Sequence, residues 1–271
     1  MRIGARSALT SAGWRKDVAI DVRDGRIAAI TDGVDGADHL AELLLPAPAN
    51  VHSHGFQRAM AGLTERRGPG GRDSFWTWRT LMFQFLDRVT PEHVEAIAAL
   101  VMMEMAEAGY GASVEFHYLH HAPGGAPYDN PAEMSARVAA AADATGMGLT
   151  LAPVLYQVGG CDGRPLGPGQ IRFGNAPDQF AALLDGAKEA LKALPADANW
   201  GVAPHSLRAV TPDGLKASID LAEGAQPIHI HLAEQIAEVD EVRDAYGIGP
   251  IAYLFDQTEI DQDWCLIHCT Q

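Results

Sequence analysis

His52 and His54 stand two residues apart at the end of the apolar run Leu43–Val51. On an extended strand, residues two apart face the same side, so both imidazoles can reach one ion. A further imidazole comes from Ile228-His229-Ile230-His231-Leu232-Ala233-Glu234, with a carboxylate three residues after His231. Three nitrogens and one open position suit a single borderline cation, zinc first and other divalent metals after it. Such an ion activates water for hydrolysis. Of the paired histidines on this segment, His231 is the expected ligand and His229 the packed, hydrogen-bonded neighbour. Glu234, where the strand turns outward, is placed to carry protons between that water and a leaving nitrogen.

Two further stretches bring chemistry. In Gly201-Val202-Ala203-Pro204-His205-Ser206-Leu207-Arg208 an imidazole and a guanidinium share one strand end. Arg208 can grip a carboxylate through two parallel hydrogen bonds. His268 closes the segment Asp263–His268 and can polarise the water or stabilise an oxyanion-like intermediate.

These residues need elements that deliver them to one place. Strand-like runs are expected at 43–51, 112–117, 148–156, 200–205, 227–231 and 263–268, with helices between them. Helix starts are expected at Thr90-Pro91, Asn130-Pro131 and Thr211-Pro212, where a capping side chain precedes a proline. Alternating apolar strands and helices imply a parallel sheet covered on both faces. Five of the six strands end in or beside histidine: His52 and His54, His117, His205, His231 and His268. Parallel strands share one C-terminal face, where (β/α)8 barrels build active sites. The expected fold is therefore α/β, a TIM-type (β/α)8 barrel with about six of its eight strands over residues 43–271. Residues 1–42, with a hairpin signal at Asp24-Gly25 between alternating runs, form part of a small N-terminal β-sandwich unit. Gly68-Pro69-Gly70-Gly71 reads as a surface loop.

Net charge is −15, which argues against nucleic acid or anionic lipid as partners and calls for local cations if the small-molecule substrate is anionic. Cys161, Cys265 and Cys269 make no disulfide framework. No signal-peptide run opens the chain and no run of about 20 apolar residues spans a membrane. A cytoplasmic location is expected, and a homodimer stays open.

The strings Asn50-Val51-His52-Ser53-His54-Gly55-Phe56-Gln57-Arg58-Ala59, Phe75-Trp76-Thr77-Trp78-Arg79, Glu115-Phe116-His117-Tyr118, Ala203-Pro204-His205-Ser206-Leu207-Arg208, His229-Ile230-His231-Leu232-Ala233-Glu234-Gln235 and Ile267-His268-Cys269-Thr270 together resemble formimidoylglutamate deiminases of the amidohydrolase superfamily. The resemblance implies zinc-dependent hydrolysis of N-formimidoyl-L-glutamate to N-formyl-L-glutamate and ammonia, in histidine degradation. It implies metal ligation by His52, His54, His231 and a late-strand aspartate, catalysis by Glu234 and His268, and substrate binding by Gln57, Tyr118, His205 and Arg208. No Asp or Glu follows His268 in these 271 residues, so the chain reads as a C-terminally incomplete, impaired copy of that enzyme. The alternatives are a nucleobase-type cyclic amidine deaminase of the same superfamily and a non-catalytic truncated remnant. Phe75, Trp76 and Trp78 read either as a lid or as helix packing.

Overall fold

The computed structural model describes residues 1–64, 75–223 and 226–271. The chain divides into two compact units, Met1–Pro48 and Ala49–Gln271. In the first, β1 (Arg2–Thr10), β2 (Gly13–Arg23), β3 (Arg26–Asp32) and β4 (His39–Leu44) form one sheet in the order β3-β2-β1-β4. β2 and β3 are antiparallel and join through Asp24 and Gly25, with φ of 49° and 72°. Positive φ at both positions makes the tight turn whose twist matches the strands, as the Asp-Gly pair predicts. Ala5, Ala8 and Val18 are fully buried on this sheet, against Ile30 and Leu44.

The expected strand over 43–51 is two strands. Leu43 and Leu44 belong to β4, parallel to Ser7 and Ala8 of β1, and β5 starts only at Ala49 (Ala49–Ser53). Pro46 and Pro48 lie between them, and proline has no N–H to give to a ladder.

In the second unit the helices are α1 (Phe75–Leu86), α2 (Pro91–Glu107), α3 (Glu133–Thr145), α4 (Pro177–Leu191), α5 (Pro212–Leu221), α6 (Ile236–Tyr246) and α7 (Pro250–Gln257). The strands after β5 are β6 (Ala112–His117), β7 (Gly148–Leu155), β8 (Asn199–Trp200), β9 (Ala203–Pro204), β10 (Ile228–Leu232) and β11 (Trp264–His268). All pairings in this unit are parallel and follow chain order. β5 pairs β6, β6 pairs β7, and β7 pairs both β8 and β9. Bridges Val202–Ile228 and Ser206–His231 carry the wall on to β10, which pairs β11. This is the wall of a TIM-type barrel, and among the described residues β5 and β11 do not meet to close it. The single strand expected at 200–205 is β8 and β9, interrupted at Gly201-Val202.

Thr90 and Thr211 cap α2 and α5 as their sequences predict, accepting from His93 N at 3.4 Å and Gly214 N at 3.0 Å. Asn130 behaves differently. Its Oδ1 accepts from Ala132 N in a preceding turn, and α3 starts two residues after the expected proline. Gly146 ends α3 at φ 71°, the left-handed conformation glycine adopts without steric cost. Phe116, Leu149, Leu151, Val138 and Met102 anchor one apolar core, and Ile230, Leu232, Leu184, Phe180 and Leu254 a second. The loop expected at Gly68–Gly71 lies outside the described residues.

Candidate active site

The C-terminal ends of β5, β9, β10 and β11 open on one cavity of about 370 Å³. His52, His54, His205, His231 and His268 line it, with Gln57, Tyr118, Arg208 and Glu234. Every site residue expected from the sequence is therefore brought to one place. His117 is not. It is 1% exposed and packs its ring against His120, centroids 5.6 Å apart. Phe116 takes the pocket side of β6, its ring 5.2 Å from those of His52 and His54 and 4.3 Å from His231. Side chains alternate along a strand, so one register sends Phe116 inward and His117 the other way. His229 is buried and does not line the cavity.

His52 Nε2 lies 3.2 Å from His54 Nε2 and 3.2 Å from His231 Nε2. Two ligands about 2.0–2.1 Å from a tetrahedral ion would sit roughly 3.3 Å apart. His54 Nδ1 faces the Phe116 carbonyl at 3.0 Å. A carbonyl only accepts, so the proton sits on Nδ1 and the Nε2 lone pair points at the cluster. Burial, the largest cause in each case, lowers His52 to about 3 and His54 to about 4, and holds His231 well below the ordinary imidazole value. Three neutral imidazoles crowding their Nε2 atoms together fit a borderline divalent ion better than they fit one another, since each carries only one proton. His52, His54 and His231 form a group able to hold a metal ion.

Around this group the cavity changes character. Glu234 Oε1 lies 3.8 Å from His268 Nε2, and the rings of His231 and His268 stack at 5.3 Å. Ala233 sits at φ 52°, a conformation costly for a residue with Cβ. Glu238 holds that turn, accepting from Ala233 N at 3.2 Å and Glu234 N at 3.1 Å. Burial raises the Glu238 carboxyl, and the charge of Arg208 opposes that. Gln57 Nε2 donates to Tyr118 Oη at 2.8 Å. Burial pushes the Tyr118 phenol well above its usual value, so it stays neutral. His205 Nδ1 lies 3.0 Å from Ser206 Oγ. Burial first, then Arg208, hold His205 neutral.

The cavity also contains residues to which the sequence reading gave no role: Arg79, Met82, Phe83, Tyr156 and Phe173. Arg79 Nη2 donates to Tyr156 Oη at 3.4 Å, and Gln170 Nε2 donates to the same oxygen at 2.8 Å. A signal for Arg79 existed, because it is the only charged residue in the apolar helix Phe75–Leu86. Trp78 lines the cavity and also packs on the first core. The side chains of Phe75 and Trp76, which with Trp78 read either as a lid or as helix packing, lie outside those described.

Residues 43–260 match the profile of the amidohydrolase family, and residues 2–41 that of the N-terminal domain of formimidoylglutamate deiminase. The chain is 44% identical over 271 residues to formimidoylglutamate deiminase of Pseudomonas aeruginosa, an alignment covering 99% of this chain and 59% of that protein. The crystal structure of an amidohydrolase from Brucella melitensis superposes with a TM-score of 0.94 at 46% identity, over all of this chain and 60% of that one. An adenosine deaminase from Xanthomonas campestris with bound zinc shares the fold at a TM-score of 0.74 and 18% identity, over 100% of this chain and 57% of its own. The chain thus spans about three-fifths of the length of these relatives.

Proposed function

We propose, from the premise that this chain belongs to the amidohydrolase family, that its barrel carries hydrolytic deimination of N-formimidoyl-L-glutamate to N-formyl-L-glutamate and ammonia, a step of histidine degradation. The observation that carries this reading is one cavity in which three neutral imidazoles converge beside two guanidinium groups, Arg79 and Arg208. The name and identity of the Pseudomonas aeruginosa relative support the substrate. His52, His54 and His231 would hold the metal ion, which we take to be zinc. When bound there, zinc supplies Lewis acidity and brings the pKa of a water toward neutrality.

The chain's own residues do the rest. Arg208 presents a planar donor fork that matches a carboxylate, and its local charge offsets the repulsion a net −15 imposes on a dicarboxylate. Gln57, Tyr118 and neutral His205 hold the substrate's polar atoms, fixing the amidine carbon over the imidazole cluster. Glu234 takes a proton at its carboxylate and returns it to the departing nitrogen as general acid. His268, 3.8 Å from Glu234, donates toward the oxygen on which charge develops. Apolar walls from Met82, Phe83 and Phe173 limit water. The three cysteines are unpaired, which fits a reducing compartment, and we assign the reaction to the cytoplasm.

The test is to purify the chain, measure zinc by elemental analysis, and follow ammonia from N-formimidoyl-L-glutamate, adenosine and guanine. The expected result is about one zinc per chain and slow, impaired release from the formimidoyl substrate alone, lost in Arg208→Met. Ammonia from a nucleobase but not from the dicarboxylate, or zinc content indifferent to His54→Ala and His231→Ala, would overturn the reading.

A further inference from the structure

Glu115 lies on β6 and is 4% exposed. A buried carboxyl is costly unless donors or a cation meet it. What meets it is the backbone of the histidine segment. Gly55 N donates to Glu115 Oε1 at 2.7 Å, and the Ser53 hydroxyl bonds the same carboxyl. A Cβ on Gly55 would lie 3.3 Å from Glu115 Oε2, so the fit leaves little room between them. Burial pushes the carboxyl up to about 7, and the two donors hold it back from going further.

The strand pairing explains why a side chain is needed there. Asn50 pairs Ser113, but the next pair is Ser53 with Glu115. Three steps along β5 match two along β6, so the ladder is broken across Val51 and His52. The segment carrying both histidines is therefore held at its end by side-chain and carbonyl contacts from β6. Glu115 grips the residues on either side of His54, and the Phe116 carbonyl takes His54 Nδ1–H at 3.0 Å. Two adjacent residues of one strand thus set the position and the tautomer of one imidazole.

We infer that Glu115 is a positioning residue that holds the Ser53–Gly55 segment so that His52 and His54 converge with His231 on one metal ion. This rests on the reading that those three imidazoles are ligands. Removing the carboxyl leaves the Gly55 N–H and the Ser53 hydroxyl without their acceptor, so a loss of apo stability is expected whatever the role. A purely structural role therefore shows in the apo fold alone, and a positioning role shows in the metal affinity as well.

The experiment uses the 271-residue chain, zinc, and a chromogenic chelator as competitor, with the apo thermal midpoint measured in parallel. First, His54→Ala and His231→Ala must each lose the bound zinc. If they keep it, the metal reading falls and this inference falls with it, before any Glu115 variant is made. Glu115→Leu is expected to weaken zinc binding about 10–100-fold, the usual effect of losing a group that orients a metal-binding histidine, with the apo midpoint lowered by the two orphaned donors. Glu115→Gln keeps one oxygen for Gly55 N–H, so its affinity should lie between wild type and Glu115→Leu. Wild-type affinity in Glu115→Leu would overturn the inference. So would an affinity loss that merely tracks a lower apo midpoint and is no smaller in Glu115→Gln. If Glu115→Leu does not fold, Glu115→Gln decides, with wild-type affinity again the overturning result.

Discussion

The buried imidazoles behind the cavity make a statement about acid stability. His117 and His120 are each 1% exposed. His120 Nε2 faces the Val154 carbonyl at 2.9 Å, while His117 Nε2 and His120 Nδ1 have no hydrogen-bond partner among the described residues. Burial, the largest cause for both, lowers His117 to about 4 and holds His120 well below 6.5. The unfolded chain protonates such a ring near the ordinary value, and the folded chain only far below it. Between those values the unfolded state binds more protons, so stability is full above about pH 6.5 and drains away as pH falls toward 4. Each unit of difference is worth about 1.4 kcal/mol. In urea melts at pH 7 and pH 5, His117→Gln should therefore shrink the difference between the two stabilities by on the order of 1–2 kcal/mol. An unchanged difference would mean that His117 titrates normally in the fold. The same scale shows what a sequence can disclose. His52, His54, His231 and Glu234 were legible because their residue types carry chemistry wherever the strand ends fall. His117 satisfied the same strand-end rule and faces away, because the rule does not specify which side of β6 turns inward. Arg79 and Tyr156 were missed for a related reason: pocket lining by a helix or a loop depends on its phase against the barrel, which local spacing does not contain.

Helices and strands differ in how openly they announce themselves. Thr90-Pro91 and Thr211-Pro212 marked helix starts because a hydroxyl cap and a proline are local devices. Asn130-Pro131 used the same signal and misled by two residues, since an Asn side chain also closes an isolated turn. The boundary between β4 and β5 was hidden because hydrophobicity runs on through Leu45-Pro46-Ala47-Pro48 while hydrogen-bonding capacity does not. What fixes α1 against the barrel could not be read locally at all. Arg172 is fully buried and donates to three main-chain carbonyls: His121 at 2.7 Å, Val89 at 2.9 Å, and Leu86, the last residue of α1. It also accepts at its own carbonyl from His120 N and His121 N. One side chain thus joins the end of the helix bearing Arg79, Met82 and Phe83 to the loop after β6. Arg172→Met removes a buried charge but leaves three carbonyls without their donor, each costing about 1–3 kcal/mol. The net expectation is a loss on the order of 3 kcal/mol in urea denaturation, with Arg172→Lys failing to restore it because a single ammonium does not reproduce the fork. Wild-type stability in Arg172→Met would show that other contacts set α1.

At the scale of the barrel unit, the wall is an arc of parallel strands in chain order, and its two histidine sources lie 179 residues apart in sequence. An ion shared by His52, His54 and His231 would tie β5 directly to β10, across the strands between them. Only the folded arc brings His52 Nε2 to 3.2 Å from both His54 Nε2 and His231 Nε2, so the ion binds the native state and not the unfolded chain. Mass action then converts affinity into stability. With free zinc at 100 times its dissociation constant the gain is about 2.7 kcal/mol. For a unit of this size, roughly 2–4 °C of midpoint accompanies each kcal/mol, so zinc should raise the thermal midpoint by about 5–10 °C. Chelation with EDTA should reverse the shift, and His231→Ala should abolish it while leaving the chelated midpoint near that of the wild type. The His231→Ala control carries the argument: an equal zinc shift in that variant would mean that the ion sits elsewhere and does not bridge the two strands. Because the bridge spans the arc, the shift should also be seen for reporters on separate strands of it. Fluorescence from Trp200 on β8 and Trp264 on β11 should unfold in one zinc-dependent transition, and two separate midpoints would show that the ion stabilises only part of the wall.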